Sequence, residues 1–124
     1  MSCPGDRIDG AILAEMPSPL IESLEKLRGT ARDGALLRYS LGLEHLKAGN
    51  RERAIGELRE ALLRDPLYSA AWKVLGRALA EAGRAGEALA AWTSGIEAAR
   101  AKGDRQAEKE MTVFARRLEK QRGA

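Results

Sequence analysis

The chain has 124 residues and a net charge of +3, which is the size of one ordinary domain without a strong excess of charge. Ala, Leu, Arg, Glu and Lys make up 73 of the residues, whereas Val, Ile and Thr number only 10. This composition favours helices and excludes a substantial sheet. The apolar runs are too short for a membrane-spanning helix, and Cys3 is the only cysteine, so we expect neither a membrane protein nor a disulfide framework. The 13 glycines argue for several short helices rather than one long one.

The N-terminal region combines a loose segment with a first short helix. Residues 1–16 mix Pro and Gly with acidic residues, and we expect them to be disordered and to lack a secretory signal. Ser18 and Pro19 are a favourable helix cap and first residue, which predicts a helix over about 19–28 that Gly29 ends.

Four more helices are predicted in the middle of the chain. Asp33 is expected to cap the first of them, and Gly49 suits the left-handed conformation that ends many helices. The Asp65-Pro66 pair is expected to end the second helix and to open the third, because proline suits a first helical turn. Gly83 then repeats the role of Gly49 before the fourth helix.

The last helix begins after Gly103-Asp104. Its apolar residues fall four, three and four apart and so form one stripe, consisting of Ala107, Met111, Phe114 and Leu118. We expect this stripe to face inward and the basic residues Arg105, Arg116, Lys120 and Arg122 to face solvent.

The middle of the chain repeats its own pattern at a fixed spacing. The matching pairs are Leu41-Gly42 with Leu75-Gly76, Ala48-Gly49 with Ala82-Gly83, Ala54 with Ala88, and Leu58 with Trp92. This spacing, with two helices per repeat, equals the period of about 34 residues that is typical of a tetratricopeptide unit. The small residues suit points where two helices cross closely, and the larger ones fill the space between them.

The residues themselves resemble the tetratricopeptide repeat (TPR) family. Its pattern is matched in the second unit by Trp72, Leu75, Gly76, Ala88, Trp92 and Gly95, and in the first by Leu41, Gly42, Ala54, Leu58, Ala61 and Pro66. The sequence departs from the pattern where Arg38 replaces an aromatic residue, where His45 and Leu79 replace tyrosine, and where Arg100 replaces proline.

The resemblance implies an all-α fold, an α-solenoid of antiparallel helix hairpins. It places one repeat at about 35–68 and the next at about 69–102, within a single helical domain over 17–122. The helix at about 19–28 and a capping helix at about 104–122 would cover the ends of the stack, because each repeat alone leaves an apolar face exposed.

The resemblance also implies a function, since similar proteins bind peptides in the concave groove lined by the first helix of each repeat. Helical spacing maps that groove to Leu36, Tyr39, Ser40, Leu43 and Lys47 in the first repeat and to Ala70, Lys73, Val74, Arg77 and Glu81 in the second. Lys73 and Arg77 are four apart and could hold a carboxylate of the partner; ordinary solvated charges are the alternative. Tyr39 is either a contact for the partner or packs on the N-terminal helix. The carboxylate clamp of some family members needs an Asn that this face lacks.

The leading hypothesis is therefore a non-catalytic protein–protein interaction module in the cytoplasm whose partner is an unknown protein or peptide. We expect no cofactor, no metal, no small-molecule substrate and no membrane partner. His45 and the two tryptophans are expected to be structural, and Cys3 to have no role. The alternatives are a self-associating assembly protein, such as a homodimer, and, behind it, a nucleic-acid-binding protein that uses the basic C-terminal helix.

Overall fold

The computed structural model describes residues 18–123, which form helices and turns without any strand. The six helices are α1 Pro19–Glu25, α2 Ala35–Lys47, α3 Arg51–Arg64, α4 Ser69–Glu81, α5 Ala85–Lys102 and α6 Arg105–Gly123. The predicted disorder of residues 1–16 and the role of Cys3 lie outside the described residues. Among the described helices, none combines the length and the apolar character that crossing a bilayer requires.

The helices form a repeated stack. The hairpin α2–α3 recurs as α4–α5, with both helices of the second hairpin starting one sequence period after those of the first. Within the described chain, α2 contacts α4 and α4 contacts α6, whereas the backbones of α3 and α5 stay apart. The stack therefore has an inner layer of α2, α4 and α6 and an outer layer of α3 and α5, as the predicted solenoid requires.

Close helix crossings explain three of the glycines, two of which stand at repeated positions. A Cβ atom on Gly42 would lie 2.6 Å from Leu58 Cγ, and one on Gly76 would lie 2.2 Å from Trp92 Nε1. At the next crossing a Cβ on Gly95 would lie 2.4 Å from the sulfur of Met111. The prediction of close approach at Gly42 and Gly76 is thus confirmed, and α6 packs on the second repeat in a similar way.

The end helices cover the stack as expected. Ile21 of α1 is buried in a small cluster with Leu37 and Leu41 of α2. At the other end Ala107 and Met111 of α6 are buried in the main core, and the half-buried Phe114 and Leu118 pack against it. The predicted inward stripe of the last helix is confirmed, and the basic residues predicted to face solvent are exposed.

The helix ends follow the predictions at most positions and correct them at three. The first is the end of α1, which stops at Glu25 and not at about residue 28, since residues 26–29 form turns. The Ser18 hydroxyl accepts a hydrogen bond from the Ile21 amide at 3.0 Å, and Gly49 and Gly83 have positive φ angles. Asp33, however, is not the cap of α2, which begins after Gly34. Its carboxylate is held instead by the Arg38 guanidinium at 2.9 and 3.0 Å.

The third correction concerns Pro66, which the sequence predicts to open a helix. Residues 66 and 67 form a turn, and α4 begins only at Ser69. The Asp65 carboxylate accepts a hydrogen bond from the Leu67 amide at 3.1 Å, which stabilises this turn. The short side chain of Asp65 thus provides a local bond that competes with helix formation.

Candidate functional site

The α2 part of the predicted groove is an apolar surface with one basic end. Leu36, Tyr39, Leu43 and Lys47 are spaced three or four apart and so share one side of the helix. Leu36 is 67% exposed, whereas Tyr39 and Leu43 are half-buried against the core. Lys47 is exposed and its ammonium lies 3.2 Å from a Glu44 carboxylate oxygen.

Tyr39 packs on a residue that the sequence did not indicate. Its ring lies 5.0 Å from that of Tyr68, between centroids, at an angle of 35°. Tyr68 is the residue just before α4, so this pair joins α2 to the turn that leads into the second repeat. Burial, followed by the neighbouring Tyr39 hydroxyl, raises the pKa of Tyr68 above its ordinary value of 10.0. Tyr39 therefore packs against the main core at the start of α4 and is not part of the apolar cluster around the N-terminal helix α1.

The two cations of the α4 part of the predicted groove already form ion pairs within the chain. The Lys73 ammonium lies 3.1 Å from a carboxylate oxygen of Glu110 on α6, and the Arg77 Nε lies 2.9 Å from Glu81. A carboxylate of a partner would have to replace these acids. Such partly exposed ion pairs contribute little to stability, so the exchange costs little. Val74, which the spacing predicts to line the groove, is instead buried in the core.

A cleft between α4 and α6 lies next to Arg77. It has a volume of about 240 Å³ and is lined by the apolar side chains Ala80, Trp92, Phe114 and Leu118, with Arg77, Arg117, Glu81 and Gln121 completing the wall. The rings of Trp92 and Phe114 lie 5.6 Å apart. The sequence assigned Phe114 and Leu118 to the core without revealing that their packing leaves this cleft, because its width depends on how α6 docks.

A larger cleft of about 580 Å³ opens between α3 and α5, in the outer layer. It exists because the backbones of these two helices stay apart. Leu63, which is 77% exposed, and Trp72 border it, and an ion pair between Arg59 and Glu87 with an N–O distance of 3.2 Å crosses its rim. Trp72 is thus half-buried rather than fully in the core, whereas Trp92 is buried as predicted.

His45 lies in a charged cluster between α1, α2 and α3. Its Nε2 atom is 3.9 Å from a carboxylate oxygen of Glu25, and the Arg28 guanidinium bridges Glu25 and Glu57. Burial, followed by the charge of Arg53, lowers the pKa of His45 below 6.5, while the Arg28 hydrogen bond lowers the pKa of Glu25. The surroundings of the buried His45 side chain therefore favour its neutral form.

The same cluster brings together three residue types that bind metal ions. One ligand atom each of Glu25, His45 and Glu57 lie within 4.8 Å of one another. Both carboxylates are already paired with Arg28, and Glu57 also accepts a bond from Arg38 at 3.2 Å. A divalent cation would have to displace these guanidinium groups and remain beside them, which like-charge repulsion opposes. The donor set therefore fits an ion-pair network that joins α1 to the first repeat.

The comparisons with known proteins agree with this architecture. A family model described as tetratricopeptide repeat matches residues 39–104, just over half of the chain. The TPR repeat-containing protein PA0015 of Pseudomonas aeruginosa is 48% identical over 103 residues, which cover 83% of this chain and 98% of the relative.

Solved structures are similar over most of the chain. The solution structure of protein BPP2914 from Bordetella parapertussis has a TM-score of 0.74 and 40% identity, covering 86% of this chain and 91% of that one. The crystal structure of a tetratricopeptide repeat domain protein from Salinibacter ruber has a TM-score of 0.66 and 30% identity, covering 70% of this chain and 97% of that one. Repeat period, helix crossings and these similarities together establish that the chain belongs to the tetratricopeptide repeat family.

Proposed function

We propose that the chain is a non-catalytic interaction module that holds a segment of a partner protein on the inner layer formed by α2, α4 and α6. The TPR fold is in general that of a protein–protein interaction module, and its members are generally scaffolds rather than enzymes. The finer statement concerns where the segment lies. It would run from the apolar surface of Leu36, Tyr39 and Leu43, beside Lys47, to the cleft beside Arg77.

The cleft between α4 and α6 carries this proposal. Its apolar lining suits one aliphatic or aromatic side chain of the partner, which would bury its surface against Trp92 and Phe114. Arg77 and Arg117 on the wall suit a carboxylate next to that side chain, and Lys73 lies one turn before Arg77 on α4. The expected partner segment therefore combines an apolar residue with a neighbouring acidic one. A cytoplasmic location is part of the proposal and agrees with a single cysteine in 124 residues.

Peptide selection followed by mapping tests the proposal. Peptides selected from a random display library on the folded chain would be titrated into isotope-labelled protein and followed by amide chemical shifts. We expect the shifts to concentrate on α2, α4 and α6, and the selected peptides to share an apolar residue beside an acidic one. Shifts confined to the cleft between α3 and α5 would contradict the assignment to the inner layer.

A charge-neutralising variant provides the second test. Lys73→Gln with Arg77→Gln removes two cations without placing new charges beside Glu110 and Glu81, so helicity should be kept. We expect the selected peptides to bind about tenfold more weakly, as the loss of two charge-assisted contacts implies. The matched control is Lys26→Gln with Lys102→Gln, which removes two exposed cations that are not among the predicted groove residues. Equal affinity of the two variants would remove Lys73 and Arg77 from the site.

A further inference from the structure

The basic residues of the described chain divide into two groups. Ten of the thirteen Lys and Arg side chains from Lys26 to Arg100 form an ion pair with a carboxylate. None of the seven from Lys102 to Arg122 is in an ion pair with a described residue. Six of these seven lie on α6. Two of the three acids of this helix, Glu108 and Glu110, are instead paired with Arg100 and Lys73 of neighbouring helices. Only the exposed Glu119 remains beside these six cations, so most of the positive charge of α6 is left uncompensated.

The unpaired residues form an ordered surface. Lys109, Val113, Arg116 and Lys120 are spaced four, three and four apart, so they share one side of the helix. With Arg105 one turn earlier they make up what we call the outer stripe of α6, about 22 Å long at the helical rise. The buried residues Ala107 and Met111 and the half-buried Leu118 lie on the opposite side. The outer stripe thus faces away from the stack.

An exposed apolar residue lies at the centre of the outer stripe. Val113 is 42% exposed, and it borders a shallow depression together with Arg116, Arg117, Glu119 and Lys120. No described helix packs on this side of α6, which contacts only α4 and α5. In a solenoid, this is the side on which a further helix stacks.

We propose that the outer stripe of α6 binds an acidic helical segment of a partner protein, which adds to the stack as its next helix. Three carboxylates of the segment, spaced two turns and then one turn apart, would lie opposite Lys109, Arg116 and Lys120, since in both helices seven residues rise about 10.5 Å and four rise about 6 Å. An apolar side chain of the segment would cover Val113. This surface is separate from the inner layer, so one chain can join two partner segments.

Charge complementarity and Val113 together favour an acidic protein segment over other anionic partners. A phosphodiester backbone gains nothing from covering a valine, and the exposed side of α6 offers no aromatic side chain on which a base could stack. A membrane surface would need a broad apolar face, and the outer stripe has one apolar residue. A helix with regularly spaced acids uses both the cations and the valine.

A designed peptide tests the inference. The probe is a fluorescein-labelled peptide of about 20 residues, which is long enough to form a helix. It has leucine at each heptad position that faces α6, glutamate on either side of each leucine, and alanine at all other positions. We expect its fluorescence anisotropy to rise on titration with the folded chain, and binding to weaken as salt is added. We expect Arg116→Glu with Lys120→Glu to weaken binding about tenfold or more, and Val113→Ser to weaken it about threefold.

Three comparisons make the outcome decisive. The variant Lys26→Glu with Arg32→Glu reverses two exposed, unpaired cations far from α6. It changes the net charge as much as Arg116→Glu with Lys120→Glu does, so any weakening that it shows at the same salt concentration measures the effect of net charge alone. Apart from that effect, it should bind the probe like the original chain. A scrambled peptide of the same composition should bind more weakly. A duplex DNA of matched charge should bind more weakly and be insensitive to Val113→Ser. Any of three outcomes would overturn the inference: both charge variants lose the same affinity for the probe, the scrambled peptide binds as tightly as the probe, or the duplex binds more tightly than the probe. Circular dichroism confirms that every variant is folded.

Discussion

Replacing Gly76 by alanine should destabilise the chain, although alanine is the better helix former. Gly76 lies in α4 where α5 crosses it, and the added methyl group would lie 2.2 Å from Trp92 Nε1 and 2.4 Å from Cε2. The Trp92 side chain is only 5% exposed, and its indole N–H donates a hydrogen bond to the Lys73 carbonyl oxygen at 3.1 Å. The ring cannot move outward without losing this bond and its packing on Phe114.

The magnitude follows from three effects. Alanine in place of an interior helical glycine favours the helix by about 1 kcal/mol. Forcing an extra carbon into a packed core costs about 1–3 kcal/mol, and leaving a buried N–H without an acceptor costs about 1–3 kcal/mol. We therefore expect Gly76→Ala to lower the free energy of unfolding by about 3 kcal/mol and the Tm by about 12 °C.

Urea and thermal unfolding followed by circular dichroism measure the effect, and two other glycines provide controls. Gly56 lies inside α3, and a Cβ there meets nothing within 4 Å, so Gly56→Ala should stabilise the chain by about 1 kcal/mol. Gly42→Ala should fall between the two, because the group in its way is Leu58, which loses no hydrogen bond. A Gly76→Ala variant as stable as the original chain would refute the argument that the crossing requires glycine.

Two further predictions concern His45 and Gly83. Burial lowers the pKa of His45 in the folded chain below 6.5, so the unfolded chain binds more protons below that value and stability should fall as pH drops from about 7 to about 5. His45→Gln should flatten this dependence in urea unfolding at several pH values; an unchanged slope would show that another group causes it. Gly83 has a φ angle of +78° with open space around it, so Gly83→Ala should cost about 1 kcal/mol through backbone strain alone, measured as the shift of the urea midpoint. A gain in stability there would contradict this reading of the turn.

The helices and their order could be predicted because the signals are local. Gly49 and Gly83 end helices by adopting a conformation that other residues avoid, and the Ser18-Pro19 pair starts one through its own side chain and ring. Where a prediction was wrong, a second local interaction competed with the first. Asp33 could have capped α2, but Arg38, a little further along the chain, binds its carboxylate more strongly.

The candidate sites could be predicted only in outline. Spacing places Leu36 to Lys47 on one side of α2, but it does not reveal that Tyr39 packs on Tyr68 or that Lys73 is paired with Glu110. Both pairs join residues that are far apart in the chain. Which of them meet depends on the rotation of each helix and on the angle at which it docks.

The sequence by itself determined the class of fold, the period of the repeat, the glycines at the helix crossings and the apolar stripe of the last helix. These features follow from helix geometry and from a pattern that recurs, so each can be recognised without knowing its neighbours. The tertiary structure alone decided the clefts, the burial of His45 beside Glu25 and Glu57, and the division between paired and unpaired cations. Those properties arise from contacts between distant segments, and contacts exist only once the helices have stacked.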